Sequence, residues 1–313
     1  MIAPSYAFTS TQSTSVPGQL AGVEVAFVGG SVDDRGSATI DALKNTSRAI
    51  CEFRYSPDDQ SLFLNGQPTT RARLAEHMAG VNRILIDATT LGLGEILNIL
   101  MAVQASRRLE VEILYAEPGE YTKSKPEEDA EPQHRKFALT TNCRFQAMHG
   151  FAHAYEANML AKHIFLLGYE SARVRNAIEQ RGDIDRARYQ IQVVIGVPAF
   201  QAGWEANTIR THLNLLEDLV IANHLVTYCQ ANSIRESYLT LWDLYRQLGD
   251  ERSCVYVSPL GTKPHSVAAA LFLLETRGSG WTTSLYYDHP ERVNNRSSGY
   301  STWHHVTVRF PAP

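Results

Sequence analysis

The first strong apolar run is Val23–Val28, VEVAFV, closed by Gly29-Gly30-Ser31 and followed by Ala38, Ile40 and Leu43 at helical spacing. Continuous apolar residues, then glycines, then a 3.6-residue period predict a buried parallel strand that enters a helix. Ile50–Tyr55 and Ser61–Leu64 flank Ser56-Pro57-Asp58-Asp59 and read as a hairpin. Thr69 or Thr70 can cap a helix carrying Leu74, His77 and Met78. A sharper unit follows, with strand Arg83–Asp87, turn Ala88–Gly94, helix Glu95–Ala105 and strand Val111–Tyr115. This is a β-α-β unit, whose crossover is expected to be right-handed.

Residues 122–136, TKSKPEEDAEPQHRK, break the pattern with charges and two prolines and read as a solvated loop. The alternation then resumes. Strands are predicted at His163–Leu167, Gln190–Val197, Leu225–Cys229, Cys254–Val257 and Ser284–Tyr287. Helices are predicted at Ser171–Glu179, Thr208–Ile221, Ile234–Leu248 and Pro264–Leu274, and Trp303–Phe310 reads as a final antiparallel edge strand. The predicted fold class is therefore α/β, with two Rossmann-like, mostly parallel sheets and flanking helices. The expected division is a flexible N-terminal segment, 1–19, a first half, 20–140, and a second half, 141–313.

The halves share a pattern. ILIDATTLGLGEILNILMAV then EILYAEPGEY in the first matches CVYVSPLGTKPHSVAAALFLL then SLYYDHPERV in the second. Leu91-Gly92 aligns with Leu260-Gly261 and Tyr115 with Tyr287, and both halves open on a strand that ends in glycine. A duplicated plan is expected, against the alternative that any two parallel units share apolar strands and a turn glycine.

Composition narrows the class. The chain has 313 residues, a formal charge of −4, 44% hydrophobic residues and 20% charged residues. That is enough apolar material for a core, and the balance disfavours general capture of nucleic acid while leaving room for a local basic pocket. The four cysteines, Cys51, Cys143, Cys229 and Cys254, form no CxxC unit and read as reduced, apolar side chains. No signal-peptide pattern and no membrane-length apolar run occurs, so a cytoplasmic protein without a membrane partner is expected.

In open parallel sheets, ligands sit outside the carboxyl ends of the strands, near the point where the strand order reverses. The candidate ligand residues of the first half are therefore Gly29, Gly30, Ser31 and Thr90. In the second half Gln201 and Asn232 can exchange hydrogen bonds with a base, and Trp204 can stack on one. The most specific element is Pro259-Leu260-Gly261-Thr262-Lys263-Pro264-His265. Glycine permits close approach, a helix start favours an anion, and Lys263 adds charge. It is no P-loop, and Gly29-Gly30 is no dinucleotide fingerprint, so a dehydrogenase is disfavoured and no cofactor is expected. Arg292 and Arg296 can clamp phosphate, whereas His265, Asp288 and His289 are the candidates for acid–base chemistry. No metal-ligand spacing occurs, and the adjacent His304 and His305 on one strand point to opposite faces.

Gly261-Thr262-Lys263 after a strand resembles the Gly-Thr-Lys motif of CRISPR-associated Rossmann-fold (CARF) domains, and the duplication resembles the related SAVED domains, which look like two fused CARF units. The likeness covers these three residues. It departs from the family at Leu260, where a second glycine is usual, and in the first half, which has Gly92-Leu93-Gly94 and no lysine. The resemblance implies a homo-oligomer that binds a cyclic oligonucleotide through Gly261, Thr262 and Lys263. Both halves are used as α/β units, so an effector is expected on a partner protein. Three readings stay open: a nucleotide-binding sensor or adaptor of a prokaryotic defence system, an enzyme cleaving a nucleotide or phosphorylated small molecule, and a structural subunit of a larger complex.

Overall fold

The computed structural model describes residues 3–123, 137–154, 159–182, 187–218, 225–247, 253–277 and 282–311. Most of the charged segment predicted as a loop, 124–136, lies outside the described residues. The strands are β1 (Ala7–Ser13), β2 (Val23–Val28), β3 (Ser47–Tyr55), β4 (Leu62–Leu64), β5 (Gln67–Thr69), β6 (Ile84–Asp87), β7 (Glu110–Tyr121), β8 (Thr140–Thr141), β9 (Leu160–Leu166), β10 (Tyr189–Gly196), β11 (Val226–Cys229), β12 (Ser253–Pro259), β13 (Thr282–Leu285), β14 (Glu291–Arg292) and β15 (Ser297–Arg309). The helices are α1 (Asp34–Thr46), α2 (Arg71–Met78), α3 (Leu93–Ala105), α4 (Ser171–Glu179), α5 (Glu205–Asp218), α6 (Ile234–Arg246) and α7 (Lys263–Thr276). The protein is thus α/β with a Rossmann-like plan. No helix among the described residues is long and apolar enough to cross a membrane.

The chain forms two units. The first comprises Ser5–Lys123 and Arg292–Pro313, and the second comprises Ser124–Glu291 with Met1–Pro4. The division differs from the expected cut at 140/141, and on the C-terminal side the reason is that β15 joins the first sheet. In β15, Trp303, Val306 and Val308 are buried, and the strand runs antiparallel along β7 from Ser297 opposite Tyr121 to Arg309 opposite Glu110. It is not an edge strand, since β1 pairs with its other side from Ala7 opposite Arg309 to Ser13 opposite Trp303. The N-terminal segment expected to be flexible is therefore largely ordered. Its Ser/Thr-rich sequence hides a true edge strand, held by backbone hydrogen bonds with little side-chain burial.

The first sheet has the order β1-β15-β7-β6-β2-β3-β4-β5. Its four central strands, β7, β6, β2 and β3, are parallel, and antiparallel strands extend both sides. On one face Val23, Ala26, Val28, Leu85, Leu114 and Trp303 pack with Leu43 of α1. On the other, Tyr55 packs so close to α3 that a Cβ on Gly94 would lie 2.4 Å from its ring.

The second sheet has the order β11-β10-β9-β12-β13, and every pairing in it is parallel. Val174 and Ala177 of α4 and Leu215 of α5 cover one face. On α6 and α7, Trp242 and Tyr245 meet Phe272 edge-on. Helix α7 is buried on every side from Pro264 to Leu274, which its apolar sequence requires.

The sheets share a central order. β3-β2-β6-β7 in the first corresponds strand for strand to β10-β9-β12-β13 in the second. The helix caps refine the expected alignment: α3 starts after Gly92 and α7 after Thr262, one residue beyond the glycine that the sequences align with Gly92.

Trp303 carries the claim that the C-terminal strand completes the first unit. Among the described residues its indole N–H has no hydrogen-bond partner, so its contribution is packing. Trp303→Ala is expected to cost about 3–5 kcal/mol in urea unfolding. Trp303→Phe, which retains ring packing without the N–H, is expected to cost far less.

Candidate functional site

In both units the strand order reverses between the first strand and its neighbour on the far side, β2 and β6 in one, β9 and β12 in the other. A glycine bridges each of these points. A Cβ on Gly29 would lie 2.5 Å from the Thr90 carbonyl oxygen, and one on Gly168 would lie 2.4 Å from that of Leu260. Neither glycine has a positive φ, so close approach, not backbone freedom, is what requires it.

At the first unit's crevice a hydrogen-bond chain fixes the turns. The Gly29 N–H donates to Thr90 Oγ1 at 2.9 Å, Thr90 Oγ1 donates to Asp87 Oδ2 at 2.6 Å, and Thr39 Oγ1 of α1 donates to the same oxygen at 2.9 Å. Asp87 is fully buried, and burial pushes its carboxyl above the ordinary range despite these donors. Gly30 and Ser31, next along the chain, are exposed, and a Cβ on Gly30 would meet nothing within 4 Å.

Asp33 caps α1. Its Oδ1 accepts the Gly36 N–H at 3.1 Å, and its Oδ2 accepts Arg35 Nη2 at 2.7 Å and Ser297 Oγ at 2.7 Å. Burial alone would raise this carboxyl, but Arg35, Ser297 and Gly36 together hold it down at about 2. Arg35, 1% exposed, also donates to Ser297 Oγ at 3.0 Å and to Tyr115 Oη and the Ala116 carbonyl at 3.4 Å. Arg296 Nε lies 3.5 Å from Asp33 Oδ2. Arg292 donates to the carbonyls of Thr89 and Thr90. Gly29, Gly30, Ser31, Thr90, Arg292 and Arg296 therefore converge on one strand edge. The sequence places the two arginines in the second half. The structure corrects this, because the Asn295 N–H donates to the Val32 carbonyl at 2.6 Å and brings the arginine segment beside the α1 turn.

The second unit's edge carries Gly261, Thr262 and Lys263 at the start of α7. Thr262 is the cap: its hydroxyl accepts the His265 N–H at 3.4 Å and donates to the Ala231 carbonyl at 2.5 Å. Pro264 has no N–H, so this helix start offers an anion fewer donors than the motif suggests. Lys263 is half-buried. Gln201 and Trp204 lie in the turn before α5, and Asn232 lies in the turn before α6, all half-buried beyond the ends of β10 and β11.

The acid–base candidates are corrected. His265 is completely buried beneath Gly261, and burial lowers it to about 4, so it is a neutral core residue at neutral pH. Asp288 is also completely buried and holds Arg173 of α4 through two hydrogen bonds of 2.7 and 2.6 Å. His289 stands with its Nε2 3.3 Å from the Gln146 carbonyl and its ring edge-on to Tyr287. His304 and His305 lie on opposite faces, paired with Glu117 at 2.7 Å and Glu112 at 2.6 Å. No group of three or more metal-ligating side chains occurs among the described residues.

Sequence reasoning missed Asp33, Arg35 and Arg173. Each stands at or in the first turn of the helix after a leading strand, and Asp33 directly before a helical pattern carried a capping signal. No protein-family model and no curated protein matches this sequence.

Gly29→Ala is expected to destabilise the protein by roughly 1–3 kcal/mol, because a backbone carbonyl cannot yield, whereas Gly30→Ala changes stability by less than about 0.5 kcal/mol. Urea midpoints of the two variants check this. Asp33, depressed from 3.8 to about 2, contributes stability that is present above pH 4 and lost as pH falls through 2. The advantage of the wild type over Asp33→Asn is expected to shrink by about 2 kcal/mol across that window, measured by urea unfolding at each pH.

Proposed function

We propose that this chain is a nucleotide-binding sensor or adaptor that holds its ligand at the carboxyl edges of its parallel strands. The observation that carries this reading is the convergence of Gly29, Gly30, Ser31, Thr90, Arg292 and Arg296 on one edge, around the α1 helix start. Such an edge combines close backbone approach with guanidinium donors, which suits phosphate. The half-buried Gln201, Trp204 and Asn232 on the second edge suit a base, and the resemblance of Gly261-Thr262-Lys263 to the CARF motif supports a nucleotide there, a homo-oligomer, and a place in prokaryotic defence.

Binding is favoured over cleavage for a specific reason. Two of the three acid–base candidates are withdrawn, His265 into the core and Asp288 into an ion pair. A general acid or base must reach the proton it moves.

Calorimetric titration with mono-, di- and cyclic oligonucleotides is expected to give saturable heat with at least one. Chromatography of the same mixtures after long incubation with excess protein is expected to show unchanged ligand. Absence of heat from folded protein would sink the proposal, and product formation would replace it with the enzymatic reading.

A further inference from the structure

The guanidinium cluster of the first unit is unbalanced in charge. Arg35, Arg292 and Arg296 gather around one carboxylate, Asp33, leaving an excess of two positive charges. The adjacent Asp34 is exposed, its carboxylate accepts the Gly299 N–H at 2.9 Å, and among the described residues it forms no ion pair with any of the three arginines. Arg35 spends its donors on Asp33, Ser297, Tyr115 and Ala116, and Arg292 donates to two carbonyls.

Arg296 is the member left over. Its side chain is 12% exposed, and its Nε is buried without a hydrogen bond among the described residues, although it lies 3.5 Å from Asp33 Oδ2. That oxygen is already filled by Arg35 and Ser297. Burial and the like charges of Arg35 and Arg292 push Arg296 down from the ordinary guanidinium value. A cation held beside two others in a largely dry setting calls for a counter-anion. A Cβ on Gly30 would meet nothing within 4 Å, and Gly30 lies two residues before Val32, whose carbonyl ties down the arginine segment through the Asn295 N–H.

Resting on the nucleotide-binding reading, we propose that this cluster takes the terminal phosphate of a nucleoside monophosphate or diphosphate in preference to the phosphodiester of a cyclic nucleotide. A terminal phosphate carries close to two charges at neutral pH and presents three acceptor oxygens. A diester carries one charge and has two free oxygens, so it leaves one guanidinium uncompensated. Planar guanidinium forks meet phosphate oxygens through paired, charge-assisted hydrogen bonds.

The test is calorimetric titration of the full chain with adenosine 5′-monophosphate and with 3′,5′-cyclic adenosine monophosphate. The monophosphate is expected to bind at least about tenfold more tightly. Arg296→Gln is expected to weaken the monophosphate more than the cyclic nucleotide and so remove most of that preference, and Arg296→Lys to retain part of it. Thermal melts of both variants are expected to match the wild type, because the Arg296 side chain makes no hydrogen bond among the described residues. Equal affinity for the two nucleotides, or a preference untouched by Arg296→Gln, would overturn this inference and leave nucleotide binding standing. No heat from either nucleotide or from any longer cyclic oligonucleotide would overturn both.

Discussion

The carboxylate of Asp33 holds the first unit's functional edge together. One oxygen starts α1 by accepting the Gly36 N–H, and the other ties Arg35 of that helix to Ser297 at the head of β15. A helix from the beginning of the chain and a strand from its end thus meet at one buried anion. Without it Arg35, 1% exposed, would be a buried cation without a counter-charge, a costly arrangement. The same carboxylate draws Arg296 to the strand edge, so the site inherits its geometry from a capping interaction.

The second unit solves the same problem with a different balance. Arg173, like Arg35, sits in the first turn of the helix that follows the leading strand, and each reaches a tyrosine, Tyr287 and Tyr115 respectively. Arg173, however, is paired with Asp288 at 2.6 Å and lies 4.0 Å from Glu170, and among the described residues no second arginine forms an ion pair with those carboxylates. Glu170 also accepts the backbone N–H groups of Leu139 and Thr140. One plan therefore yields a single arginine facing two carboxylates in one unit and three arginines around one carboxylate in the other. Shared topology fixes where a ligand can sit, while local charge decides which ligand atom sits there.

Much of the fold was legible because periodicity reports burial directly. VEVAFV, RILID and the run around Val193–Ile195 can be nothing but buried strands, and α4 begins and ends where its pattern does. Two things escaped that signal. β1 is Ser- and Thr-rich because an edge strand needs only its backbone paired, so its side chains carry no apolar alternation. β15 reads correctly as a strand, but nothing local says which sheet it joins; that is set by partners such as Tyr115 and Ala116 across about 190 residues of chain. The site was legible by the same measure. Gly29, Thr90, His265 and Asp288 were all named for their place after a strand; the first two meet at one strand edge, whereas His265 and Asp288 are completely buried, a difference that position after a strand does not report.

Where the histidines lie bears on what such a molecule can do. His163 is enclosed by Phe165, Tyr189, Tyr256 and Tyr286, with one ring nitrogen 2.7 Å from Ser258 Oγ and the other 2.8 Å from Tyr189 Oη. Ser258 Oγ spends its proton on the Tyr286 carbonyl, so His163 Nε2 must donate and Nδ1 must accept, which fixes a neutral tautomer. Burial agrees, since it drives His163 well below its ordinary range, and His212 and His265 down to about 4. Imidazoles held neutral in the core brace the ends of β9 and β12 and have no proton to exchange with a ligand near pH 7. At the first unit's edge the positive charge is carried by Arg292 and Arg296, guanidinium groups that keep their protons throughout the physiological range. Such an edge can attract and orient anions, and it does so with fixed charge, not with a titrating group.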